Sequence, residues 1–394
     1  VLVTAAESKG STSSSKIGRE AIAHIQPSSI ADLMELIPGG RATDPSFGAP
    51  QEIRLREADP SSSANYATSA LGTQIQVDGI PISNDANLQY STSYGSIQEY
   101  ANVNRGVDTR AISTDDIESV EIVRGIPSVE YGDLTSGLVK VKRREGGRDL
   151  TARFKADMSS KLFSVGKGFE RKGGGDAERT TLNINADYLT AASDPRNPRQ
   201  NYQRLTGSVR FGRHWQGSAY RYSAGGSLDY TGSFDDKKSD RDLDNGLGGP
   251  VERYKSNYNR TQFAATFAVE ARHRQFFHSL DLTASLSAEF DRIDRWRFVE
   301  TGSDFAKTWG TEPGEYDAVI IPASYGYAKA VATFNADTER SRNTLRVGAD
   351  WSMDKNYGRG LVFDVARPFS PQMDSRPRAY DAIPALHKLS LFLE

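Results

Sequence analysis

The sequence contains no cysteine and no marked excess of charge of either sign. Without cysteine the chain can form neither a disulfide framework nor a thiolate metal site. The 49 lysines and arginines nearly balance the 51 aspartates and glutamates, and the five histidines are scattered. A nucleic-acid-binding protein would carry a clustered basic excess. We therefore expect no nucleic-acid partner and no metal site.

Long apolar runs are also missing. A membrane-spanning helix needs about 18 or more apolar residues in a row, whereas the longest runs here are short, such as residues 318–321. The hydrophobic share of 37% is low for a soluble protein of this size, although the chain has 35 glycines and 17 each of tyrosine and phenylalanine. Partial disorder and a large β-barrel with a polar lumen both fit this composition.

Catalytic signatures are absent as well. The sequence has no zinc-spaced histidine and glutamate cluster, no nucleophile elbow and no glycine loop that would cradle a phosphate. We therefore expect neither an enzyme nor a bound cofactor. No charged and then apolar leader opens the chain, and its last residues, 391–394, lie inside a predicted strand. We expect the native protein to extend beyond both ends.

Residues 1–147 mix helix and strand signals. Ser29 is a candidate N-cap, and Ile30, Leu33 and Ile37 follow at helical spacing as far as Pro38. The remaining signals predict a helix at 19–25, a helical turn at 114–116 capped by Ser113, strands at 52–56, 73–78, 119–124 and 137–142, and a turn at Asp78-Gly79. This region is predicted to be a compact α+β domain.

From residue 148 onward the sequence alternates with a period of two. Leu182 and Ile184 alternate with Asn183 and Asn185, for example. The same pattern returns at 205–211, 263–269, 280–290 and 345–353. Long strands, a polar face with no helix to cover it, and Tyr or Trp near strand ends together favour lipid on the apolar side. A soluble β-sandwich or a β-rich adhesin is the alternative.

The number of strands predicts only part of a barrel. We count about ten to twelve candidate strands after residue 148, whereas a plugged outer-membrane transporter has about 22. Half of such a barrel would leave strand edges without partners in lipid. The predicted fold class is therefore an all-β transmembrane barrel of the 22-stranded type, about half of it present, with an N-terminal α+β domain in its lumen.

Several motifs in the first region occur in a recognisable order. Residues 116–125 read DIESVEIVRG, followed by IPSVEYG at 126–132 and GLVKVK at 137–142. Upstream lie ADLMELIPG at 31–39 and QVDGIP at 76–81. Together these motifs resemble the plug domain of TonB-dependent outer-membrane receptors. The amino-acid sequence of residues 126–135 is most similar to that of Bacteroidetes members of the family.

The resemblance implies a division of the chain into three parts. Residues 1–16 would be a TonB-box-like segment with a flexible leash, residues 17–147 the plug domain, and residues 148–394 the N-terminal portion of the transmembrane barrel. It also implies a location in the outer membrane of a Gram-negative bacterium. For most of the motifs the simpler interpretation is structural: Asp78-Gly79, for instance, is foremost a turn.

The resemblance further implies three groups of functional residues. TonB would contact Val1, Leu2, Val3, Thr4 and Ala5, although this segment also fits an ordinary first strand of the plug. A plug–barrel latch would join Arg54 and Arg124 to Glu270 and Glu289, which face inward by parity, although each arginine also fits a solvated position in a wet lumen. Ligand-binding residues on the plug's apical loops would be Asn65, Tyr66, Asn84, Asp85, Asn87, Gln89, Tyr90 and Tyr94.

The expected function is TonB-dependent active transport of a scarce or bulky nutrient across the outer membrane, with the plug gating the barrel. The nutrient class stays open between a metal chelate, a vitamin, a glycan and a peptide. The expected partners are TonB with its energising complex ExbB–ExbD, outer-membrane lipid and the extracellular ligand, with a surface lipoprotein left open. A non-transporting surface receptor or adhesin on a plugged barrel is the alternative.

Overall fold

The computed structural model describes most of the chain as two β-sheets that follow each other in sequence. The described residues are 5–7, 14–37, 51–55, 70–84, 106–124, 127–132, 134–158, 160–174, 178–192, 200–218, 220–237, 251–271, 279–300, 314–337, 342–357, 360–362, 380–382 and 384–394. The first sheet ends at Arg143 and the second begins at Arg148. We call residues 5–143 the N-terminal domain and the second sheet the large sheet.

The sheet of the N-terminal domain has six strands. They are β1 (Ala5–Glu7), β2 (Ser14–Gly18), β3 (Thr73–Val77), β4 (Ile80–Pro81), β5 (Ile117–Val123) and β6 (Gly137–Arg143). Their order in space is β1-β2-β5-β6-β3-β4. Only β3 and β6 run parallel to each other, and the other neighbours are antiparallel. The strands predicted at 73–78, 119–124 and 137–142 correspond to β3, β5 and β6.

Two short helical segments cover this sheet. The α-helix α1 (Arg19–Ile25) has the predicted bounds and buries Ala21 and Ile22. The segment predicted to begin after Ser29 is a 3₁₀ helix, Ile30–Leu36, that opens with a capping box. The Ser29 side chain accepts a hydrogen bond from the backbone N–H of Ala31, and Asp32 accepts from the N–H of Ser29.

An apolar core fills the space between the helical segments and the sheet. It is contributed by β2, α1, the 3₁₀ helix, β3, β5 and β6, and its fully buried members include Ile17, Ile22, Leu33, Ile117, Ile122 and Val139. Burial of one such side chain stabilises a fold by about 1.5–3 kcal/mol. The N-terminal domain thus has a hydrophobic core of its own.

Two local predictions in this domain are wrong. The stretch predicted as a strand at 52–56 belongs to no strand over its described residues, 52–55. Its backbone bonds to a neighbouring loop instead, because the N–H of Gln51 donates to Asp108 and the carbonyl of Gln51 accepts from the N–H of Thr109. The described residues of the segment 1–16 form β1 and begin β2, and the role of this segment as TonB box and leash stays a prediction.

The second wrong prediction is the helical turn at 114–116. This stretch is a single turn closed by the N–H of Ile117 and the carbonyl of Thr114, at 3.4 Å, because the chain passes directly into β5. The helical turn lies earlier, at Thr109–Ala111, and Asp108 caps it by accepting a hydrogen bond from the N–H of Arg110.

The turn predicted at Asp78-Gly79 is confirmed. Both residues have positive φ, 51° for Asp78 and 83° for Gly79. A two-residue hairpin that matches the twist of its strands requires this conformation at both positions. The turn joins β3 to β4 and projects toward the large sheet.

The large sheet has eleven strands, in agreement with the predicted number. They are β7 (Arg148–Ala156), β8 (Ser160–Lys172), β9 (Arg179–Ala191), β10 (Gln200–Gln216), β11 (Tyr220–Lys237), β12 (Val251–Ala271), β13 (Ser279–Glu300), β14 (Gly314–Asp337), β15 (Arg342–Asn356), β16 (Gly360–Val362) and β17 (Leu386–Leu393). From β7 to β15 each strand pairs antiparallel with the next, β16 pairs with β14, and β17 pairs with β15.

The predicted alternation separates the two faces of the large sheet. Ile184 and Tyr188 are 44% and 42% exposed, whereas Asn183 and Asp187 between them are 2% and 3% exposed. The apolar residues of the other strands likewise point away from the N-terminal domain, including Leu205, Val209, Phe211, Phe263, Phe267, Leu282, Leu286, Phe290 and Leu345. The N-terminal domain lies against the polar face. Within the described residues, no helix is long and apolar enough to cross a membrane.

The two ends of the large sheet differ. The linker 144–147 between the domains lies at one end, where the N–H of Gly147 donates to Glu170 at 2.9 Å. We call this the linker end, and the opposite one the loop end. Connections at the linker end are short, such as 217–219 and 338–341, whereas the loop end includes 238–250 and 301–313.

Candidate functional site

The contact between the N-terminal domain and the large sheet is made mostly by charged and polar side chains. Three clusters of side chains form much of this contact, and each cluster joins residues that are far apart in sequence. Among the described residues, an apolar cluster across the contact lies at the tip of the β3–β4 hairpin, where Ile80 packs against Tyr325 and Tyr327. Beside the tip, the Ser83 hydroxyl donates to the Asp354 carboxylate at 2.6 Å.

The first cluster is built around Arg204 of β10, which is completely buried. Its Nη1 donates to the backbone carbonyls of Arg110 at 2.7 Å, Ile112 at 3.1 Å and Ser28 at 3.3 Å. Its Nε donates to Asp187 of β9 at 3.1 Å. One side chain of the sheet therefore satisfies three carbonyl groups of the N-terminal domain, while a neighbouring carboxylate balances its charge.

The surroundings of Arg204 are also buried. Arg110 forms an ion pair with Asp108 at 2.8 Å, and both side chains are almost inaccessible to solvent. The Arg110 guanidinium lies 4.2 Å from the ring centroid of Tyr202, on β10 two residues before Arg204. Cations within about 6 Å of an aromatic ring centroid are attracted to the ring face. The loop 108–112 is thus held by ion pair, hydrogen bonds and ring contact together.

The second cluster contains three carboxylates and two guanidinium groups. Arg143 of β6 binds Asp78 at 2.6 Å and also pairs with Asp229 of β11. Arg210 of β10 donates to Asp116 at 3.1 Å and lies 3.8 Å from Asp78. Asp78, Asp116 and Arg143 belong to the N-terminal domain, and Arg210 and Asp229 belong to the large sheet.

The excess negative charge in this cluster affects its carboxylates differently. Burial acts to raise the pKa of Asp78, but Arg143 and Arg210 outweigh it and hold the pKa below its ordinary value. Burial raises the pKa of Asp116 above its ordinary value, and Arg210 and Arg143 compensate only in part. Asp116 is therefore the carboxylate that takes up a proton first.

The third cluster joins residues 128–131 to β14 and β15. Lys329 Nζ donates to the Glu130 carboxylate at 2.7 Å and to the Glu130 carbonyl at 3.3 Å. Arg346 donates to the Ser128 hydroxyl at 3.1 Å and lies 3.5 Å from the Glu130 carboxylate. Lys329 also lies 4.9 Å from the ring centroid of Tyr131.

Two larger cavities lie between the N-terminal domain and the large sheet, besides a smaller one of about 50 Å³ near Asp229. The linker-side cavity, about 500 Å³, is bounded by β2, β5 and β6 on one side and by β9 to β12 near the linker end on the other. The loop-side cavity, about 260 Å³, is bounded by the β3–β4 hairpin, residues 130–132 and strands β14, β15 and β17. Both are lined by polar and charged groups as well as apolar ones.

The four predicted latch residues all lie within the described residues. Among their contacts, Arg54 pairs with Glu52, and Arg124 donates to the Ser15 hydroxyl at 3.0 Å. The inward orientation of Glu289 is clear, because it is 1% exposed and accepts from Gln262 at 3.1 Å. Glu270 lies 3.7 Å from Arg221 and is partly exposed. The pairing of the two arginines with these glutamates stays a prediction.

Only part of the predicted ligand and TonB segments is described. Asn84 lines the loop-side cavity, and its amide donates to the carbonyls of Leu71 and Thr73. Ala5 begins β1, opposite Ile17. The following predicted residues lie outside the described ones: Val1, Leu2, Val3, Thr4, Asn65, Tyr66, Asp85, Asn87, Gln89, Tyr90 and Tyr94. Their roles stay predictions.

The residues that form the contact between the N-terminal domain and the large sheet are not among those predicted from the sequence. Arg204 and Arg210 stand at inward positions of β10, next to the outward residues Leu205 and Val209 respectively. An arginine at an inward position of a predicted barrel strand is a signal that was present in the alternation. Asp78 was interpreted as a turn residue, and its carboxylate also belongs to the second cluster.

Within the described residues, no group of three or more His, Cys, Asp or Glu side chains is arranged so that it could hold a metal ion. The N-terminal domain matches a known family. Residues 6–139 correspond to the TonB-dependent Receptor Plug Domain. No curated protein sequence matches the chain.

The chain is also similar to solved structures. A double mutant of the ferric enterobactin receptor from Pseudomonas aeruginosa matches with a TM-score of 0.57 and 15% identity, over 96% of this chain and 54% of that one. The siderophore receptor PirA from Acinetobacter baumannii has a TM-score of 0.54 and 17% identity, over 87% and 48%. The ferric-catecholate import receptor Fiu from E. coli K12 has a TM-score of 0.53 and 11% identity, over 98% and 66%.

These matches establish the fold. The chain spans about half the length of the ferric enterobactin receptor that it matches. The N-terminal domain is a plug domain, and the large sheet corresponds to part of the barrel that surrounds such a plug. Both correspond to the fold class predicted from the sequence.

Proposed function

We propose that this chain, a TonB-dependent receptor plug followed by part of the barrel, belongs to an active importer in the outer membrane of a Gram-negative bacterium. One observation carries the proposal. Among the described residues, a plug with its own apolar core contacts the barrel wall through many hydrogen bonds and ion pairs, and cavities lie between the two. Such a contact can be broken and remade while plug and barrel each stay folded.

The two ends of the barrel support an orientation. Outer-membrane barrels have short periplasmic turns and longer extracellular loops. The linker end, with the connections 217–219 and 338–341, would then face the periplasm, and the loop end would face the medium. Asn84, which lines the loop-side cavity, would then face the path from the medium to the plug.

The first strand of the plug supports TonB as the partner. β1 is the edge strand of its sheet and pairs only with β2 among the described strands. A strand at a sheet edge, close to the chain's start, suits capture by strand addition, in which main-chain hydrogen bonds supply affinity. TonB with ExbB–ExbD would pull on this segment and release the plug's polar contacts.

The imported nutrient would be one that is too scarce or too bulky for porins. The matched structures are receptors for ferric enterobactin, for siderophores and for ferric catecholates, so a ferric siderophore is the first class to test. A vitamin, a glycan or a peptide would also suit the polar cavities. A surface lipoprotein that captures the ligand would be an additional partner.

Capture by TonB tests the proposal without knowledge of the ligand. The intact receptor that contains this chain is purified and passed over the immobilised C-terminal domain of TonB, together with a variant that lacks residues 1–7. We expect the intact receptor to be retained and the shortened one to flow through. A matched control, Glu20→Gln at an exposed position of helix α1, should be retained like the unaltered receptor.

The second candidate function, a non-transporting surface receptor, makes the opposite prediction. Its plug would serve only to close the barrel and would need no partner in the periplasm. If the intact receptor flowed through the TonB column as freely as the shortened variant, the importer proposal would be overturned in favour of this one.

A further inference from the structure

The two cavities beside the plug are separated by a very thin partition. Among the residues that line them, only Gln76 and Tyr131 line both. One cavity reaches toward the loop end, with Asn84 in its wall, and the other toward the linker end, with Lys16 in its wall. The two cavities therefore meet at these two side chains.

Gln76 is the fixed part of the partition. It lies on β3 between Pro81 of β4 and Lys140 of β6, and its side chain is 4% exposed. Its amide donates to the side chain of Gln74 at 2.8 Å. Strands on both sides thus hold its backbone, and its side chain has little space to move.

Tyr131 is the movable part. It lies in the segment 127–132, which belongs to no strand, and its N–H closes a turn with the carbonyl of Ser128 at 3.0 Å. Its ring is flanked by two cations, Lys140 of the plug at 4.6 Å and Lys329 of the barrel at 4.9 Å from the centroid. Lys140 is also hydrogen-bonded to the Tyr131 side chain, so the two ammonium groups and this bond together orient the ring.

The position of Tyr131 connects it to the edge of the plug that TonB would pull. Gln76, Lys140, Glu121 and Lys16 stand opposite one another on β3, β6, β5 and β2. All four line the linker-side cavity, and Lys140 lies 3.7 Å from Glu121. Displacement of β2 would remove Lys16 from this row. Lys16 stands next to Glu121, which pairs with Lys140, and Lys140 contacts the Tyr131 ring.

We propose that Tyr131 is the gate residue of a path that runs along the plug from the loop-side cavity to the linker-side cavity. This inference rests on the proposed import function. With its ring between Lys140 and Lys329, Tyr131 closes the path. Once the ring swings away, the two cavities join and the imported solute has a route toward the periplasmic end without departure of the whole plug from the barrel.

Electrical conductance of the intact receptor in a planar lipid bilayer tests the gate, with potassium chloride as the probe. The unaltered receptor should be closed. Tyr131→Ala removes the ring and should give a steady conductance, whereas Tyr131→Phe keeps the ring and should stay closed. Tyr327→Ala is the matched control, because it removes a ring that packs near Ile80 and lines the loop-side cavity but not the linker-side one.

Protease treatment of the same preparations separates a gate from a general loss of the plug. In the Tyr131→Ala receptor the plug should stay as resistant as in the unaltered one. The proposal is overturned if Tyr131→Ala stays closed, if Tyr327→Ala conducts equally well, if the unaltered receptor already conducts, or if conductance appears only with a digested plug. Retention by TonB is measured separately, so failure of the gate leaves the import proposal standing, and the reverse also holds.

Discussion

The plug and the barrel use the same alternating pattern in opposite senses. In the plug, the apolar positions of the strands point into a closed core, and Ile122 and Val139 are completely buried. In the barrel sheet, the apolar positions point outward, and Leu286 and Phe290 are 59% and 55% exposed. A two-residue period therefore fixes which residues share a face, but the surroundings decide which face is covered.

The difference also explains the chemistry of the contact between them. A plug whose apolar residues are used internally offers polar groups to its surroundings, and a sheet whose apolar residues point outward offers polar groups to the plug. The two meet through ion pairs such as Arg210 with Asp116. Such contacts require matched partners, since a buried charge that loses its partner is costly.

Loss of the Arg204 side chain should have the largest effect on this contact. Arg204→Ala removes the donor for three plug carbonyls and leaves Asp187 buried without its guanidinium. Breaking a buried pair in this way costs about 3–5 kcal/mol. We expect the plug of the intact receptor to become protease-sensitive at a lower urea concentration, while the barrel stays resistant to unfolding by detergent.

A neighbouring substitution provides the control for Arg204. Leu205→Ala lies on the outward face of the same strand and contacts no plug residue through its side chain, so it should leave plug release unchanged. Arg204→Lys keeps the charge but not the planar fork of donors, and it should fall between the two. Equal urea midpoints for the Arg204→Ala and Leu205→Ala receptors would show that the Arg204 cluster does not hold the plug.

A charge on the outer face should have the next largest effect, and on the barrel rather than the plug. Leu286→Arg places a guanidinium where the barrel faces lipid, which costs about 2–4 kcal/mol at the bilayer midplane. Ser285→Arg on the inner face of the same strand meets water and polar groups, so it should cost much less. Refolding into lipid vesicles across a urea series measures both, and equal costs would refute the assignment of the two faces.

The structural features that could be predicted from the sequence are those that depend on residues close together along the chain. The alternation of Ile184 with Asn183, the bounds of α1 and the turn at Asp78-Gly79 all follow from local spacing and backbone preference. The polar contact does not, because Arg204 bonds to carbonyls 94 and 176 positions away. Which inward arginine meets which carbonyl depends on how the plug sits against the wall, and no local pattern contains that information.

The pH dependence of plug release should be smaller and should reside in Asp116. A carboxyl whose pKa is raised in the folded protein destabilises it at neutral pH, and this penalty fades as pH falls through the raised pKa toward the ordinary value near 3.8. Asp78 has the opposite sign, because its pKa is lowered and its contribution is lost only below that ordinary value. Mild acidification should therefore strengthen the hold on the plug.

Asp116→Asn isolates this effect. The asparagine cannot ionise, so the urea midpoint for plug release should no longer rise between neutral and mildly acidic pH, whereas Glu118→Gln, an exposed change two residues away, should leave the rise intact. The assignment fails if the Asp116→Asn receptor keeps the full pH dependence of the unaltered one.

The smallest effect is expected at the two barrel glutamates predicted as latch residues, and the two should differ from each other. Glu270 forms its pair with Arg221 in a partly exposed position, and such pairs contribute about 0–1 kcal/mol. Glu289 is buried and bonded to Gln262, so its loss disturbs a network that solvent does not screen. Glu270→Gln should leave the urea midpoint for plug release almost unchanged, and Glu289→Gln should lower it.

A double substitution of Glu289 with Arg124 then decides whether the two act together, because a latch predicts that the combined loss is smaller than the sum of the single losses. Additive losses would mean that Glu289 stabilises the barrel wall alone and that the plug is held by Arg204 and the charge clusters instead.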